Sequence, residues 1–135
     1  MAAPTSAKSM MVTGSEWTIQ NMQRVCSTDD TLCTWNFAIF NGENDTTVCT
    51  FNVSATTDAD VTGDASVTTG GPAECGVYTI TTGWSGQFGE GNGFTTLAVV
   101  NNNADLIIYP AYTDKQLQAG IIVSPDQSYA PEDLP

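Results

Sequence analysis

The stretch from Cys75 to Tyr112 constrains the fold more than any other part of the chain. It contains three apolar segments, separated by a glycine-rich segment and by the run Asn101-Asn102-Asn103. In the first segment Tyr78, Ile80 and Trp84 share one face, and threonines occupy the other. Period-two alternation of this kind is typical of a half-buried strand, and Asn tolerates the left-handed angles of a tight turn. We therefore predict an antiparallel meander around which the rest of the chain packs.

Other segments repeat the strand pattern. The last apolar segment of the meander, 106–109, is apolar on both faces, which favours a strand covered on both sides. We predict further strands at residues 16–25, 33–39, 49–53 and 120–123, with a bulge near Asn21 where Met22 breaks the alternation. Residues 54–74 have little bulk and are expected to form a surface loop, with a weak strand near Val67.

These segments predict an all-β fold. About seven to eight short strands with almost no helix indicate an antiparallel β-sandwich or a closed β-barrel, and the sequence alone does not separate the two. The chain of 135 residues fits a single domain. We expect a flexible arm at residues 1–14, one β domain at 15–124 and an irregular, proline-containing tail at 125–135.

Charge limits the classes of partner. The chain has 15 acidic residues, 3 basic residues and no His, for a net charge of −12. This charge repels phosphate backbones and anionic membranes, so nucleic-acid binding is not expected. It serves solubility, or it meets a basic partner or a cation. No apolar run approaches the ~20 residues of a membrane helix, so we predict no membrane insertion. We expect the protein to be a monomer.

The four cysteines predict two disulfides. Cys26, Cys33, Cys49 and Cys75 are even in number and include no C-x-x-C pair, and the chain has no His for a mixed zinc site. Of the three pairings we favour Cys26–Cys33, which would join the ends of a hairpin, with Cys49–Cys75. A zinc ion held by all four thiolates is the alternative. Disulfides imply an oxidising compartment, so we interpret Met1 as standing where a signal peptide has been removed.

Catalytic and metal motifs are weak. Without His, a Ser or Cys nucleophile lacks its usual base. Paired carboxylates could cleave glycosides, and Glu74, Glu90 and Asp105 are the candidates beside structured segments, but solvated surface acids explain them as well. Asp58, Asp60 and Asp64 resemble a calcium loop without its terminal Glu or its glycine placement. We therefore expect no enzyme activity, no cofactor and no bound metal.

The glycine-rich segment of the meander is a candidate recognition loop. A phosphate cradle would need a Lys and a following helix, whereas Glu90 lies within the segment and a strand follows it. The glycines instead suit a wide turn that presents aromatic side chains to a partner, unless these rings fold back into the core. The candidate binding residues are Trp84, Phe88, Phe94, Tyr109 and Tyr112.

Two sequons are candidates for N-glycosylation. They begin at Asn44 and Asn52, and the strand alternation places Asn52 on an outward face. Such triplets also arise by chance in a chain rich in Thr.

Longer motifs resemble a known protein family. The spacing C-x6-C-x15-C-x25-C, the block CTWNFAI, the block TTGWSGQFGEGNGFTTLAVV and the ending LIIYPAYTDKQLQAG with VSPDQSY are similar to small secreted cysteine-containing elicitor and effector proteins of filamentous ascomycete fungi. Within that group the likeness is greatest to a hypersensitive-response-inducing elicitor of the rice blast fungus. It covers residues 17–129.

The resemblance implies an apoplastic protein. Such a protein is detected by plants, induces defence responses and cell death, and supports virulence. We expect it to bind a plant host protein or a cell-wall component. A carbohydrate-binding or carbohydrate-cleaving wall protein is the alternative, because the aromatic glycine loop has acids nearby.

Overall fold

The computed structural model of the protein describes residues 16–57 and 62–135. The predicted arm at residues 1–14 lies outside the described residues. The elements, in chain order, are β1 (Trp17–Cys26), β2 (Leu32–Phe40), β3 (Thr46–Ser54), β4 (Thr56–Thr57), β5 (Thr62–Gly63), β6 (Gly70–Cys75), β7 (Tyr78–Ser85), β8 (Phe94–Asn101), β9 (Leu106–Ile108), β10 (Ala111–Thr113), α1 (Asp114–Leu117), β11 (Gln127–Tyr129) and β12 (Glu132–Asp133).

Two antiparallel sheets enclose the core, so the all-β prediction is confirmed and the fold is a sandwich rather than a barrel. One sheet has the strand order β11-β1-β2-β3. The other has the order β12-β9-β8-β7-β6, with β10 also paired to β8. The predicted meander is the run from β7 to β9, in which consecutive strands are antiparallel neighbours. No helix in the described ranges is long and apolar enough to cross a membrane.

Alternation along the strands builds the core. In β2, Cys33, Trp35, Phe37 and Ile39 are buried while the residues between them are half-buried or exposed. Tyr78 and Ile80 come from the opposite sheet, with the ring of Tyr78 edge-on to that of Trp17 at a centroid separation of 5.5 Å. The sequence periodicity therefore identifies which face of each long strand is buried.

The predicted bulge in β1 is present. The pairing of β1 with β2 shifts register between Gln20 and Gln23, and Asn21 has a φ of 56°. The extra residue returns Met22 to the interior, where it is 1% exposed.

Both predicted disulfides are confirmed. Cys26–Cys33 joins β1 to β2 at residues that face each other across the hairpin. Cys49–Cys75 joins β3 to β6, and so links an edge strand of one sheet to an edge strand of the other. The second disulfide therefore fixes the two layers of the sandwich to each other.

The predicted final strand at residues 120–123 is wrong. Ala119 and Gly120 have positive φ angles of 60° and 67°, which no extended strand contains. Ile121 and Ile122 then face solvent, and only Val123 is buried, with its N–H donating to the carbonyl of Met22.

Two segments predicted to be irregular contain strands. The tail at 125–135 contributes β11, which pairs with β1, and β12, which pairs with β9, because each of those strands has an open edge. The expected loop at 54–74 contributes β6, and a single turn of 3₁₀ helix at 65–67 replaces the weak strand near Val67. The absence of a side chain at Gly70 lets β6 approach β3 closely, because a Cβ on Gly70 would clash with the side chain of Val53.

Candidate functional site

An exposed pair of aromatic rings stands at the end of the meander. The loop between β7 and β8 carries Phe88 over Phe94, with ring centroids 5.7 Å apart and an interplanar angle of 27°. Phe88 is 65% exposed, an unusual position for a phenyl ring, and Phe94 is half-buried. We call this pair the Phe88–Phe94 platform.

A shallow groove of about 370 Å³ lies beside the platform. The register of β10 with β8, in which Thr113 faces Phe94, brings the two walls together. Tyr112 is only 1% exposed and lies beneath the opening. The side chains around the groove are those of Phe88, Asn92, Phe94, Ala111, Tyr112 and Thr113.

Backbone turns hold the loop in place. Gly89 and Gly91 have φ angles of 97° and 82°, which a residue with a Cβ adopts at a cost. The backbone N–H of Asn92 donates to the carbonyl of Gly89 at 3.1 Å, and its side-chain Nδ2 donates to the carbonyl of Phe88 at 3.3 Å. These bonds position Phe88 without burying it.

Trp84 supports the loop from below and does not line the groove. Its indole Nε1 donates to Oδ2 of Asp114 at 2.9 Å. The backbone at Gly86 and Gly93 packs so closely on the indole ring that a Cβ at either position would collide with it. The half-buried Trp84 is therefore part of the scaffold under the platform.

Asp114 connects this scaffold to the opposite sheet. The carboxylate lies 3.7 Å from Nη1 of Arg24, a side chain that is only 8% exposed. The guanidinium also donates to the carbonyl of Ser66 at 3.4 Å and lies 5.8 Å from the ring centroid of Trp35. Burial lowers the pKa of Arg24, and the nearby carboxylates of Asp114 and Asp30 oppose that shift.

A capping box places Asp114. The hydroxyl of Thr113 accepts the backbone N–H of Gln116, and the side chain of Gln116 accepts the backbone N–H of Thr113. These bonds start α1 directly after β10, so the first helical residue faces Trp84. The pattern Thr-x-x-Gln at residues 113–116 is the signal that could have located this turn from sequence.

The structure brings together three of the five predicted binding residues. Phe88, Phe94 and Tyr112 meet at the groove. Trp84 lies under the loop, and Tyr109, which is 49% exposed, lies outside the groove. Asn92 and Asp114 are not among the predicted residues: Asn92 acts through hydrogen bonds within the loop, whereas the position of Asp114 depends on the pairing of β10 with β8. That any of these side chains contacts a partner stays a prediction.

The three nominated carboxylates do not form a catalytic pair. Glu90 lies in the β7–β8 loop, whereas Glu74 and Asp105 lie at the other end of the same sheet. The eight-residue length of β7 separates the two ends by roughly 25 Å. Glu74 on β6 and Asp105 beside β9 are three strand spacings apart, roughly 14 Å, which exceeds the 5–10 Å that glycoside cleavage needs.

In the described ranges, cysteine and acidic side chains come together at Cys26, Asp30 and Cys33, but this group offers no thiolate ligand for a metal. The sulfur atoms of Cys26 and Cys33 come close to the carboxylate of Asp30. Both sulfurs are bonded to each other, and Asp30 accepts the backbone N–H and the hydroxyl of Ser66. The predicted calcium-loop residues Asp58 and Asp60 lie outside the described residues.

Comparison with known proteins identifies the family. A family model described as Effector TSP1 matches residues 18–134. The chain belongs to the Effector TSP1 family. A curated relative, Effector TSP1 of Hypocrea virens (strain Gv29-8 / FGSC 10586), is 53% identical over 135 residues, which cover 99% of this chain and 88% of the relative.

Membership of the Effector TSP1 family confirms the resemblance to fungal effectors. The closer likeness to an elicitor of the rice blast fungus is not tested by these matches and stays a prediction. Residues 18–134 include both disulfides and the whole loop that carries the platform.

Proposed function

We propose that this protein is a secreted fungal effector that acts in the plant apoplast. It is recognised by the host, induces defence responses and cell death, and supports virulence through contact rather than catalysis. Membership of the Effector TSP1 family supports the effector role.

The buried disulfide between the two sheets is the observation that carries the proposal of secretion. Cys49 is fully buried and Cys75 nearly so, and their bond links β3 to β6. The reducing cytosol keeps thiols reduced, whereas secreted proteins retain such bonds. A sandwich held this way suits a protein that must stay folded outside the cell.

The Phe88–Phe94 platform supports action by contact. Aromatic side chains contribute much of the binding energy at protein interfaces when a partner covers them. Here the backbone of Phe88 is held by the hydrogen bond from Asn92 to its carbonyl, and its ring stacks on that of Phe94, so less conformational entropy is lost on binding. We therefore assign host contact to this platform.

Leaf infiltration tests the proposal. The purified, oxidised protein is infiltrated over a wide range of doses, and ion leakage and defence-marker transcripts are measured. We expect a dose-dependent response that falls at least tenfold in potency for Phe88→Ala. Ile122→Ala is the matched control, because Ile122 is similarly apolar and 53% exposed but lies away from the groove.

Two results would contradict the proposal. The absence of a response at every dose would remove the elicitor role. An equal response to Phe88→Ala and to the wild type would remove the platform from recognition and leave the rest of the proposal standing. Trp84→Ala is unsuitable as a probe of binding, because its loss breaks the contact with Asp114 and damages the scaffold.

A further inference from the structure

The outer face of the smaller sheet forms a surface distinct from the platform. On β3 the outward side chains are those of Thr46, Val48, Thr50, Asn52 and Ser54. The residues in register with them extend the surface across three strands: Leu32, Thr34, Asn36, Ala38 and Phe40 on β2, and beyond these Thr18, Gln20, Gln23 and Val25 on β1. We call it the neutral face. It measures roughly 25 Å along the strands and 10 Å across them.

The neutral face has no charged side chain, although the chain carries a net charge of −12. Acidic residues border it instead: Asp29 and Asp30 in the β1–β2 turn, Glu43 and Asp45 in the β2–β3 turn, and Asp126 at the bulge. The chain as a whole is only 13% charged, and what distinguishes this face is that the acidic residues near it all lie at its border. The composition of the face therefore favours an uncharged partner.

Two cross-strand pairs give the face fixed hydrogen-bonding groups. The hydroxyl of Thr34 donates to Oδ1 of Asn52, and the hydroxyl of Thr50 donates to Oδ1 of Asn36, both at 2.8 Å. The two pairs are adjacent and opposite in direction. Because each Asn oxygen is occupied, each Nδ2 group is oriented as a donor, and each hydroxyl oxygen keeps a lone pair as an acceptor.

A shallow depression lies next to these pairs. Ala38 faces Gln20 on one side and Val48 on the other, and its small side chain leaves a gap between them. Val48 is 72% exposed, so apolar surface lies directly beside the amides. Hydroxyl-rich sugars offer the matching combination of C–H surface and hydrogen-bonding groups.

We propose that the neutral face binds an uncharged, hydroxyl-rich polysaccharide of the cell wall. A protein partner is less suited to it, because binding hot spots are enriched in Trp, Tyr and Arg, and the outward positions of the face offer none of these; its one aromatic residue, Phe40, is half-buried. The polysaccharide would hold the effector in the wall while the platform on the other sheet stays accessible.

Retention on insoluble polysaccharides tests this inference. The full-length oxidised protein is mixed with chitin, cellulose or β-1,3-glucan, and the fraction bound is measured over a range of polysaccharide concentrations. We expect retention on at least one of the three, and none on anionic polygalacturonate. Asn36→Asp/Asn52→Asp should weaken that retention at least tenfold, because both amide donors are lost and two charges are added.

The variant has a matched control. Asn103→Asp/Gln87→Glu adds the same charge at exposed positions of the other sheet and its loop, and should bind like the wild type. The threonine hydroxyls can still donate to the new carboxylates in Asn36→Asp/Asn52→Asp, so the fold should persist. Thermal unfolding checks this, and Ala38→Leu, which fills the depression without adding charge, gives a second variant expected to lose binding.

Several outcomes would overturn the inference. One is the absence of retention on all three polymers. Others are an equal loss of retention in the double variant and its control, or retention of Ala38→Leu equal to that of the wild type. Capture of a plant protein by this face in place of polysaccharide, or a glycan on Asn52 of the secreted protein, would also overturn it. The result is separable from the proposed function: Phe88→Ala should keep polysaccharide retention, and Asn36→Asp/Asn52→Asp should keep the response to infiltrated protein.

Discussion

The indole N–H of Trp84 donates to the carboxylate of Asp114 at 2.9 Å, and the same carboxylate faces the guanidinium of Arg24 at 3.7 Å. The three residues come from β7, α1 and β1, so this chain of contacts crosses from one sheet to the other. The support of the candidate recognition loop is therefore coupled to the packing of the sandwich.

Loss of Asp114 should destabilise the protein. Asp114→Ala removes the acceptor of Trp84 and leaves the nearly buried Arg24 without its nearest carboxylate, so we expect a loss of about 3 kcal/mol in the free energy of unfolding. Asp114→Asn keeps an acceptor for the indole and should lose about half as much. Urea denaturation measures both. Glu90→Gln, at an exposed loop position, should stay within about 0.5 kcal/mol of the wild type, and equal stability of all the variants would contradict the coupling.

The sequence predicted those parts of the fold that depend on local alternation. The buried faces of β2 and β7, the bulge at Asn21 and both disulfides follow from side-chain period and cysteine spacing. The pattern failed at 120–123, where two left-handed residues turn an apolar run away from the sheet.

Long-range pairing set the limit for the candidate site. Trp84 and Phe88 look alike in sequence, since both are aromatic residues beside glycines. Alternation along β7 places Trp84 on the same face as Tyr78 and Ile80, but the partner of its indole, Asp114, is set by the pairing of β10 with β8 and by the capping box. Alternation along one strand contains no information about that contact.

A methyl group at Gly93 should loosen the support of the platform. A Cβ there would collide with Oδ2 of Asp114 and approach the indole of Trp84 to 2.8 Å. Gly93→Ala should therefore cost about 1–3 kcal/mol of unfolding free energy, measured by denaturation, and shift the fluorescence of Trp84. At Gly83 a Cβ meets nothing within 4 Å, so Gly83→Ala is the matched control and should be nearly neutral. The reverse order of the two variants would refute this account of the packing.

The two disulfides should contribute unequally to stability. Cys49–Cys75 closes a sequence separation of 26 residues and joins the sheets, whereas Cys26–Cys33 closes a separation of 7 within one hairpin. Loop entropy predicts losses of about 3.5 and about 2.5 kcal/mol for the respective paired Cys→Ser variants. Denaturant midpoints of the two variants measure the difference, and a larger loss for the hairpin pair would show that strain or residual structure outweighs loop length.

Stability should fall in alkali because buried tyrosines resist ionisation. Burial raises the pKa of Tyr112 far above its ordinary value of 10.0, and burial also raises the pKa of Tyr129 and Tyr78. The folded state keeps these protons while the unfolded chain releases them, so their stabilisation is complete below pH 10 and is lost as pH rises above it toward the folded pKa values. Between pH 7 and 9 we expect the contribution of these tyrosines to the unfolding free energy to stay nearly constant. Above pH 10 we expect the unfolding free energy to decrease by up to about 1.4 kcal/mol per pH unit for each tyrosine. Tyr112→Phe should make this alkaline decrease shallower than that of the wild type in rapid urea unfolding, which limits disulfide exchange. Identical slopes for Tyr112→Phe and the wild type would contradict the assignment to Tyr112.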